Sequence, residues 1–340
     1  MTKNFTIGVI GAGRIGKIHV ENILRKIPEV KLKAVADIKI DNNLKSWANK
    51  IGVPNLTNNP YDIIKDSEID TVIIASSTET HSEFIQQAAK ARKSIFCEKP
   101  IDIDLIRIKK TLDVVNREGV KLMIGFNRRF DRNFKRVKDL ITSGQIGNPQ
   151  IIKITSRDPT LPPINYLKNS GGLFIDMTIH DWDMASFQVG SDIEEVYGNG
   201  AALIDPEVKK LGDIDTAVAL LKFKNGTFGL VDNSRQAVYG YDQRVEVFGS
   251  KGCLIANNEP SNTVRLFTAN TIKEDNIPYF FLERYIDSYA EELVYFFQIL
   301  RNNEEPSPNG IDGLKSVLVA LAAQKSLIEN RPVKISEIDH

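Results

Sequence analysis

Cysteine is nearly absent from this chain: Cys97 and Cys253 are the only two in 340 residues, and both sit in apolar, strand-like stretches. A disulfide framework is thereby excluded, and a reducing, cytoplasmic setting is expected. Histidine is scarce too, with four in all, none paired with a cysteine or another histidine at ligand spacing, so no metal is expected. An excess of charge of either sign is missing, since 44 Lys and Arg balance 44 Asp and Glu. Without a net field, neither nucleic acid nor a membrane surface is an expected partner. No stretch approaches the roughly 18 uninterrupted apolar residues of a spanning helix. The short apolar run from Ile7 to Gly13 ends in Arg14 and reads as a first strand, so no targeting segment is expected. Internal repeats, low-complexity tracts and long linkers are likewise missing.

What the chain does have is length enough for two domains. From Phe5 to about Gly125, short apolar runs alternate with segments of helical period. Strands are expected at Thr6–Ile10, Leu32–Ala36, Thr71–Ala75, Ser94–Cys97 and Leu122–Gly125. That alternation specifies strand-helix-strand units and a doubly wound parallel sheet of the Rossmann type over residues 1–125. Beyond Phe126 the strands lengthen: Ile151–Ser156, Val196–Ala201, Thr216–Phe223, Thr227–Asn233 and Arg244–Phe248, with turns such as Lys224-Asn225-Gly226 between them. Residues 126–340 are therefore expected to form an α+β domain with a large, mainly antiparallel open sheet. Helices are expected at Leu173–Val189, Tyr285–Leu300 and Gly313–Glu329.

The string Gly11-Ala12-Gly13-Arg14-Ile15-Gly16 follows the first strand and opens a helix. Gly11 permits the tight turn, Gly13 admits a pyrophosphate to the backbone, and Gly16 lets the helix pack on the sheet. The amides of Arg14 and Ile15 belong to the same helix start, where unpaired N–H groups favour an anion. Asp37 ends the next strand, 21 residues beyond Gly16, where a carboxylate holds the ribose hydroxyls of NAD and repels the phosphate of NADP. No basic pair follows it, although Lys39 leaves NADP open. Ser76, Thr78 and His81 lie in the loop after the third expected strand, at the edge of the sheet where ligands bind. They line a cofactor there or, equally, cap the next helix.

Lys99 follows the fourth expected strand in the turn Glu98-Lys99-Pro100, where its charge suits a developing alkoxide. Asp176 and His180 are four apart in a segment of helical period, a spacing that lets a carboxylate orient an imidazole for general-base work. The same spacing also describes a solvated polar stripe, which Asp183 extends.

These strings, with Gly125-Phe126-Asn127-Arg128-Arg129-Phe130 and Gly171-Gly172-Leu173-Phe174-Ile175-Asp176-Met177-Thr178-Ile179-His180-Asp181, together resemble the glucose-fructose oxidoreductase/inositol dehydrogenase/rhizopine-catabolism (Gfo/Idh/MocA) family. The resemblance extends over essentially the whole chain. Within the family, Ser156-Arg157-Asp158-Pro159 and Pro162-Pro163 are most similar to bacterial inositol 2-dehydrogenases. It implies a catalytic triad of Lys99, Asp176 and His180, NAD as cofactor with Glu98 and Lys99 beside it, and a cis Lys99-Pro100 bond. It further implies a cyclitol or sugar substrate held by Lys99, Arg128, Asp158, Asp176, Thr178, His180 and Tyr239, and a homotetramer. The implied reaction is oxidation of myo-inositol to 2-keto-myo-inositol. The same triad serves scyllo-inositol or a pyranose such as glucose, and the fold also serves regulators without chemistry.

Overall fold

The computed structural model of the chain describes residues 5–339. They divide into two compact units. The first takes the chain up to Phe130 together with Asp287–Lys315, and the second takes Asp131–Ile286 with the chain from Ser316 onward.

In the first unit, β1 (Phe5–Ile10), β2 (Val30–Ala36), β3 (Leu56–Thr57), β4 (Thr71–Ile74), β5 (Ser94–Glu98) and β6 (Leu122–Gly125) form a six-stranded sheet. Its order is β3-β2-β1-β4-β5-β6, with every pairing parallel. All of β4 and β6 is buried, as helices on both faces require of a parallel sheet. The crossovers run through α1 (Arg14–Lys26), α2 (Asn42–Ile51), α3 (Pro60–Lys65), α4 (Thr78–Lys90) and α5 (Leu105–Glu118). Asp41 and Asp104 cap α2 and α5 by accepting backbone N–H bonds, and Gly52 and Gly119 end them in the left-handed region. α1 is built differently. Its cap is Gly13, which has no side chain to bond the first amides, and no acid stands in its first turn.

In the second unit, α6 (Arg132–Thr142) leads into β7 (Pro149–Arg157), and the short α7 (Ile164–Leu167) and α8 (Leu173–Asp176) precede α9 (Ile179–Val189). There follow β8 (Ile193–Ala201), α10 (Pro206–Lys210), β9 (Thr216–Phe223), β10 (Phe228–Ser234), β11 (Asp242–Gly249) and β12 (Gly252–Ala256). The short strands β13 (Arg265–Phe267) and β14 (Ile272–Glu274) pair as a hairpin, and α11 (Phe281–Tyr285) closes this part. With β15 (Val333–Lys334), the main sheet runs β12-β11-β7-β10-β9-β8-β15. Its pairings are antiparallel except β7 with β10. One face of the alternation, including Ile152, Ile154, Ala219, Leu221, Val231 and Val247, is buried. The other leaves Val218, Leu220, Phe228 and Phe248 exposed.

Three helix expectations need correction. The helix expected over Leu173–Val189 is two helices. The amides of both Met177 and Thr178 reach the Leu173 carbonyl, each at 3.0 Å, and the longer of these spans widens the turn, so that α9 starts afresh with Asp181 donating to the Thr178 carbonyl. The helix expected over Tyr285–Leu300 is α11 followed by α12 (Ser288–Asn302), and the last, α13, begins early, at Gly310, and runs to Glu329. The units also interleave where a division at residues 125 and 126 was expected. Leu293, Phe296 and Phe297 of α12 are fully buried in one core with Phe5, Val20, Ile23 and Phe96, so hydrophobic burial binds this late helix to the first unit. No helix among the described residues is long and apolar enough to cross a membrane.

The approach of α1 to the sheet gives a test. A Cβ on Gly16 would lie 2.0 Å from the Gly11 carbonyl oxygen, which is backbone and cannot swing aside. Gly16→Ala is expected to destabilise the protein by about 1–3 kcal/mol, read as a lower thermal midpoint, and to weaken NAD binding in the same protein.

Candidate active site

The strand order of the first sheet reverses between β1 and β4, and such a switch point opens a crevice beyond the carboxyl ends of the strands. Gly11, with φ at 97°, turns the chain there so tightly that a Cβ would fall 2.5 Å from the Ala75 backbone. Gly13 has nothing within 4 Å of where a Cβ would stand, so its backbone is open to a ligand. The first amides of α1, with no capping side chain on Gly13 and no acid in the first turn, form an anion site by construction. Arg14 and Ile15 occupy its first two positions. Asp37 lies opposite: its Oδ2 accepts from the Ala12 N–H at 2.8 Å and its Oδ1 from the Lys39 N–H at 2.9 Å. These bonds fix the carboxylate at the rim, with lone pairs left for hydroxyl donors. Gly11, Gly13, Asp37, Ser76 and Thr80 line one cavity of about 320 Å³ with Ile10, Ile38 and Phe84. The cradle and its walls fit a dinucleotide.

The loop after β4 and the turn after β5 are clamped together by His81, which is 1% exposed. Its Nδ1 lies 2.7 Å from the Pro100 carbonyl and its Nε2 3.0 Å from that of Ser76. His81 thus holds the loops in place through their backbones. Ser76 Oγ pairs with Thr80 Oγ1 at 2.7 Å, while Thr78 is the first residue of α4. Lys99 stands half-buried in the turn, and the Lys99-Pro100 bond is cis. The Glu98 carboxylate is drawn to the other side, where its Oε1 lies 2.7 Å from Nε2 of the buried His19.

In the second unit, the break between α8 and α9 separates Asp176 from His180, so the two do not share a helix face. Asp176 is gripped from two sides instead. Tyr166 donates its hydroxyl to Oδ1 at 2.6 Å, and Arg235 Nη2 donates to Oδ2 at 3.0 Å. Burial, and then the charge of Asp176, push the Tyr166 phenol well above its usual range, so it remains a donor. Arg235 is 1% exposed, and its Nη1 lies 3.9 Å from Asp158. Thr178 is wholly buried, 2.9 Å from Asn233 Oδ1, while Asn233 Nδ2 donates to Asp181 Oδ2 at 2.8 Å. Thr178 therefore supports the helix break. Tyr239 is drawn elsewhere: its hydroxyl donates to Asp242 at 2.6 Å and accepts from Arg157 at 3.2 Å. Arg128 is buried in a 3-10 turn, Asn127–Phe130, in the first unit.

Residues 5–126 match the model of an oxidoreductase family with an NAD-binding Rossmann fold, and residues 134–255 match the GFO/IDH/MocA C-terminal domain. The chain belongs to the Gfo/Idh/MocA oxidoreductase family. A myo-inositol 2-dehydrogenase of Thermotoga maritima is 48% identical over 332 residues, 98% of this chain and 99% of its own. An inositol 2-dehydrogenase of Rhizobium meliloti is 40% identical over 336 residues, 99% of this chain and all of its own. The structure of a scyllo-inositol dehydrogenase from Lactobacillus casei with bound NAD(H) and scyllo-inositol superposes with a TM-score of 0.91 at 32% identity. That match covers 98% of this chain and all of the other.

Two residues of this Gfo/Idh/MocA chain that grip Asp176 escape a reading of the sequence. Tyr166 lies in a Pro-rich stretch with no period. Arg235 extends the β10 alternation of Val231 and Asn233 past the strand end, a period-two signal that placed on the inner face would have marked it. Arg235→Met leaves Asp176 without its cation and is expected to cost about 3 kcal/mol and to lower kcat/KM. Arg235→Lys restores part of both, as thermal denaturation and steady-state rates would show.

Proposed function

We propose that this protein is an NAD-dependent inositol 2-dehydrogenase that oxidises myo-inositol to 2-keto-myo-inositol. The observation that carries the reading is the presence of Lys99, Asp176 and His180 in a chain that is 48% identical, over nearly its full length, to a myo-inositol 2-dehydrogenase. NAD supplies the hydride acceptor. His180 takes the hydroxyl proton while the hydride leaves the same ring carbon, so the alcohol becomes a ketone and NAD becomes NADH. The Lys99 ammonium steadies the oxygen as charge develops on it. Asp176, pinned by Arg235 and Tyr166, keeps the imidazole oriented and basic. Arg128 and Asp158 serve the ring hydroxyls, where unpaired polar groups would reject a wrong isomer.

A second substrate, scyllo-inositol, is favoured by the bound ligand of the Lactobacillus casei enzyme. Initial rates of NADH formation with myo-inositol, scyllo-inositol, D-chiro-inositol and glucose, each offered NAD and separately NADP, decide the matter. The expected result is fastest turnover of myo-inositol with NAD, and a loss of about 10²–10³-fold in kcat for Lys99→Ala. A preference for glucose over every inositol would sink the reading.

The exposed apolar face of the second sheet supports a homotetramer. Phe228 pairs across the sheet with Ile151, and Ile151 with Phe248; all three are more than 40% exposed. Such a patch calls for burial against another copy. Light scattering is expected to give four chains for the native protein and fewer for Phe228→Glu; a native mass of one chain contradicts it. The exposed free thiol of Cys253 accords with a reducing cytoplasm.

A further inference from the structure

Directly behind the Lys99 turn, three ionisable side chains meet in the first unit: His19 from α1, Glu98 from β5 and Glu292 from α12. Their ligand atoms all lie within 4.8 Å of one another. His19 and Glu292 are wholly buried. Glu98 is confined as well, because a Cβ on Gly125 of the neighbouring strand would stand only 3.0 Å from its carboxylate. His19 Nε2 and Glu98 Oε1 share a bond of 2.7 Å, and the His19 ring sits edge-on to Phe96 and Tyr289. Neither oxygen of Glu292 has a hydrogen-bond partner among the described residues.

A buried, unpaired carboxylate is untenable, so it must take a cation, a second partner or a proton. A cation is disfavoured by spacing: nitrogen and oxygen ligands on one tetrahedral zinc stand about 3.3 Å apart at bonds of about 2.0–2.1 Å, wider than the bond His19 and Glu98 already make. Other charges near α12 are engaged elsewhere. Lys26 pairs with Asp287, and Arg129, from the 3-10 turn packed on the helix, pairs with Asp312. Among the described residues, His19 and Glu98 are the His, Cys, Asp or Glu side chains that cluster with Glu292, and one imidazole cannot balance two carboxylates.

We propose that Glu292 is a positioning residue: as a neutral carboxylic acid it leaves Glu98 the one anion set against His19, and so fixes the strand end from which Lys99 projects. Burial first, and the Glu98 charge second, push the Glu292 carboxyl well above its usual range. An ionised Glu292 would repel Glu98, which has Gly125 close on one side and His19 bonded to it, and a shift of Glu98 passes along the chain to its neighbour Lys99. The effect on turnover rests on Lys99 acting as proposed above; the protonation state of Glu292 does not.

Because the folded state holds this proton more tightly than the unfolded chain, its contribution to stability is complete at acid pH. It is lost as pH rises from the ordinary carboxyl value through the raised one.

Infrared difference spectra of the full-length protein against Glu292→Gln, taken at pH 7, read the proton directly. The carbonyl stretch of a protonated carboxylic acid is expected in the wild type and not in the variant, and it should fade as the pH is raised. Its absence at pH 7, or one tightly bound metal ion per purified chain, overturns the proposal. Rates give the second arm. Wild-type kcat is expected to fall on the alkaline side in step with the band, Glu292→Gln to lack that fall, and Glu292→Leu to lose kcat that Glu292→Gln retains. An alkaline limb identical in wild type and Glu292→Gln overturns the positioning role. Should the wild type turn over no polyol, the reading of function fails while the spectral arm still stands.

Discussion

Much in the first unit follows from how closely backbone must approach backbone where α1 leaves β1. Gly11 abuts the Ala75 backbone and Gly16 abuts Gly11, so three elements meet with no side chains between them. The same economy at Gly8 admits Ile63, whose Cγ2 would lie 2.3 Å from an added Cβ. The Gly11–Gly16 approach sets α1 with its amino end at the strand reversal, and a helix start with no capping side chain at that place is an anion site. Asp37 gains its position from the same turn, since the amide it accepts is that of Ala12. The dinucleotide cradle is thus a consequence of packing rather than a feature added to it.

Two carboxylates, the half-buried Asp176 in the second unit and the buried Glu292 in the first, are handled in opposite ways. Asp176 is held by a buried guanidinium and a phenol, both donors. Each bond also fixes the carboxylate in space, which the orienting role proposed for Asp176 would require. Among the described residues Glu292 has no such donors, and it meets another carboxylate, so a proton neutralises it.

The parallel half was legible because strands covered on both faces must be apolar throughout, and because Gly11, Gly13 and Gly16 leave few other uses for that spacing. β3, of two residues, carries no pattern to read, and β13 and β14 are exposed throughout, so no buried face marked them. The break after Asp176 was illegible for another reason. Leu173, Phe174 and Met177 keep helical period across it, and only the span from Thr178 to the Leu173 carbonyl shows that the turn widens. Membership of α12 in the first unit is a matter of which core receives Phe296 and Phe297, which no local pattern encodes. Glu292 was hidden for the same reason, since an acid on an amphipathic helix reads as solvent until the partner helix is known.

The single parallel pairing found among the described strands of the second sheet explains where its polar cluster lies. In an antiparallel pair the ends of successive strands point to opposite edges, but β7 and β10 run together, with Ser234 beside Arg157. Their exits therefore lie side by side: the Asp158 amide donates to the Ser234 carbonyl, and the Ala237 amide to that of Asp158. Arg235 is the first residue past β10, as Asp158 is the first past β7, and their side chains face each other with Asp176 as the third member. The start of β11 comes to the same edge, where Asp242 pairs with Arg157. Alternation then sorts the two clusters: Asp242, Arg157 and Tyr239 gather with the outer-face residues, while Asn233 and Arg235 continue the inner face. A one-residue shift in the β7–β10 register would exchange those faces and take Arg235 away from Asp176. The register of one strand pair, set by the buried side chains of both, is what keeps the Asp176 carboxylate supplied with its cation.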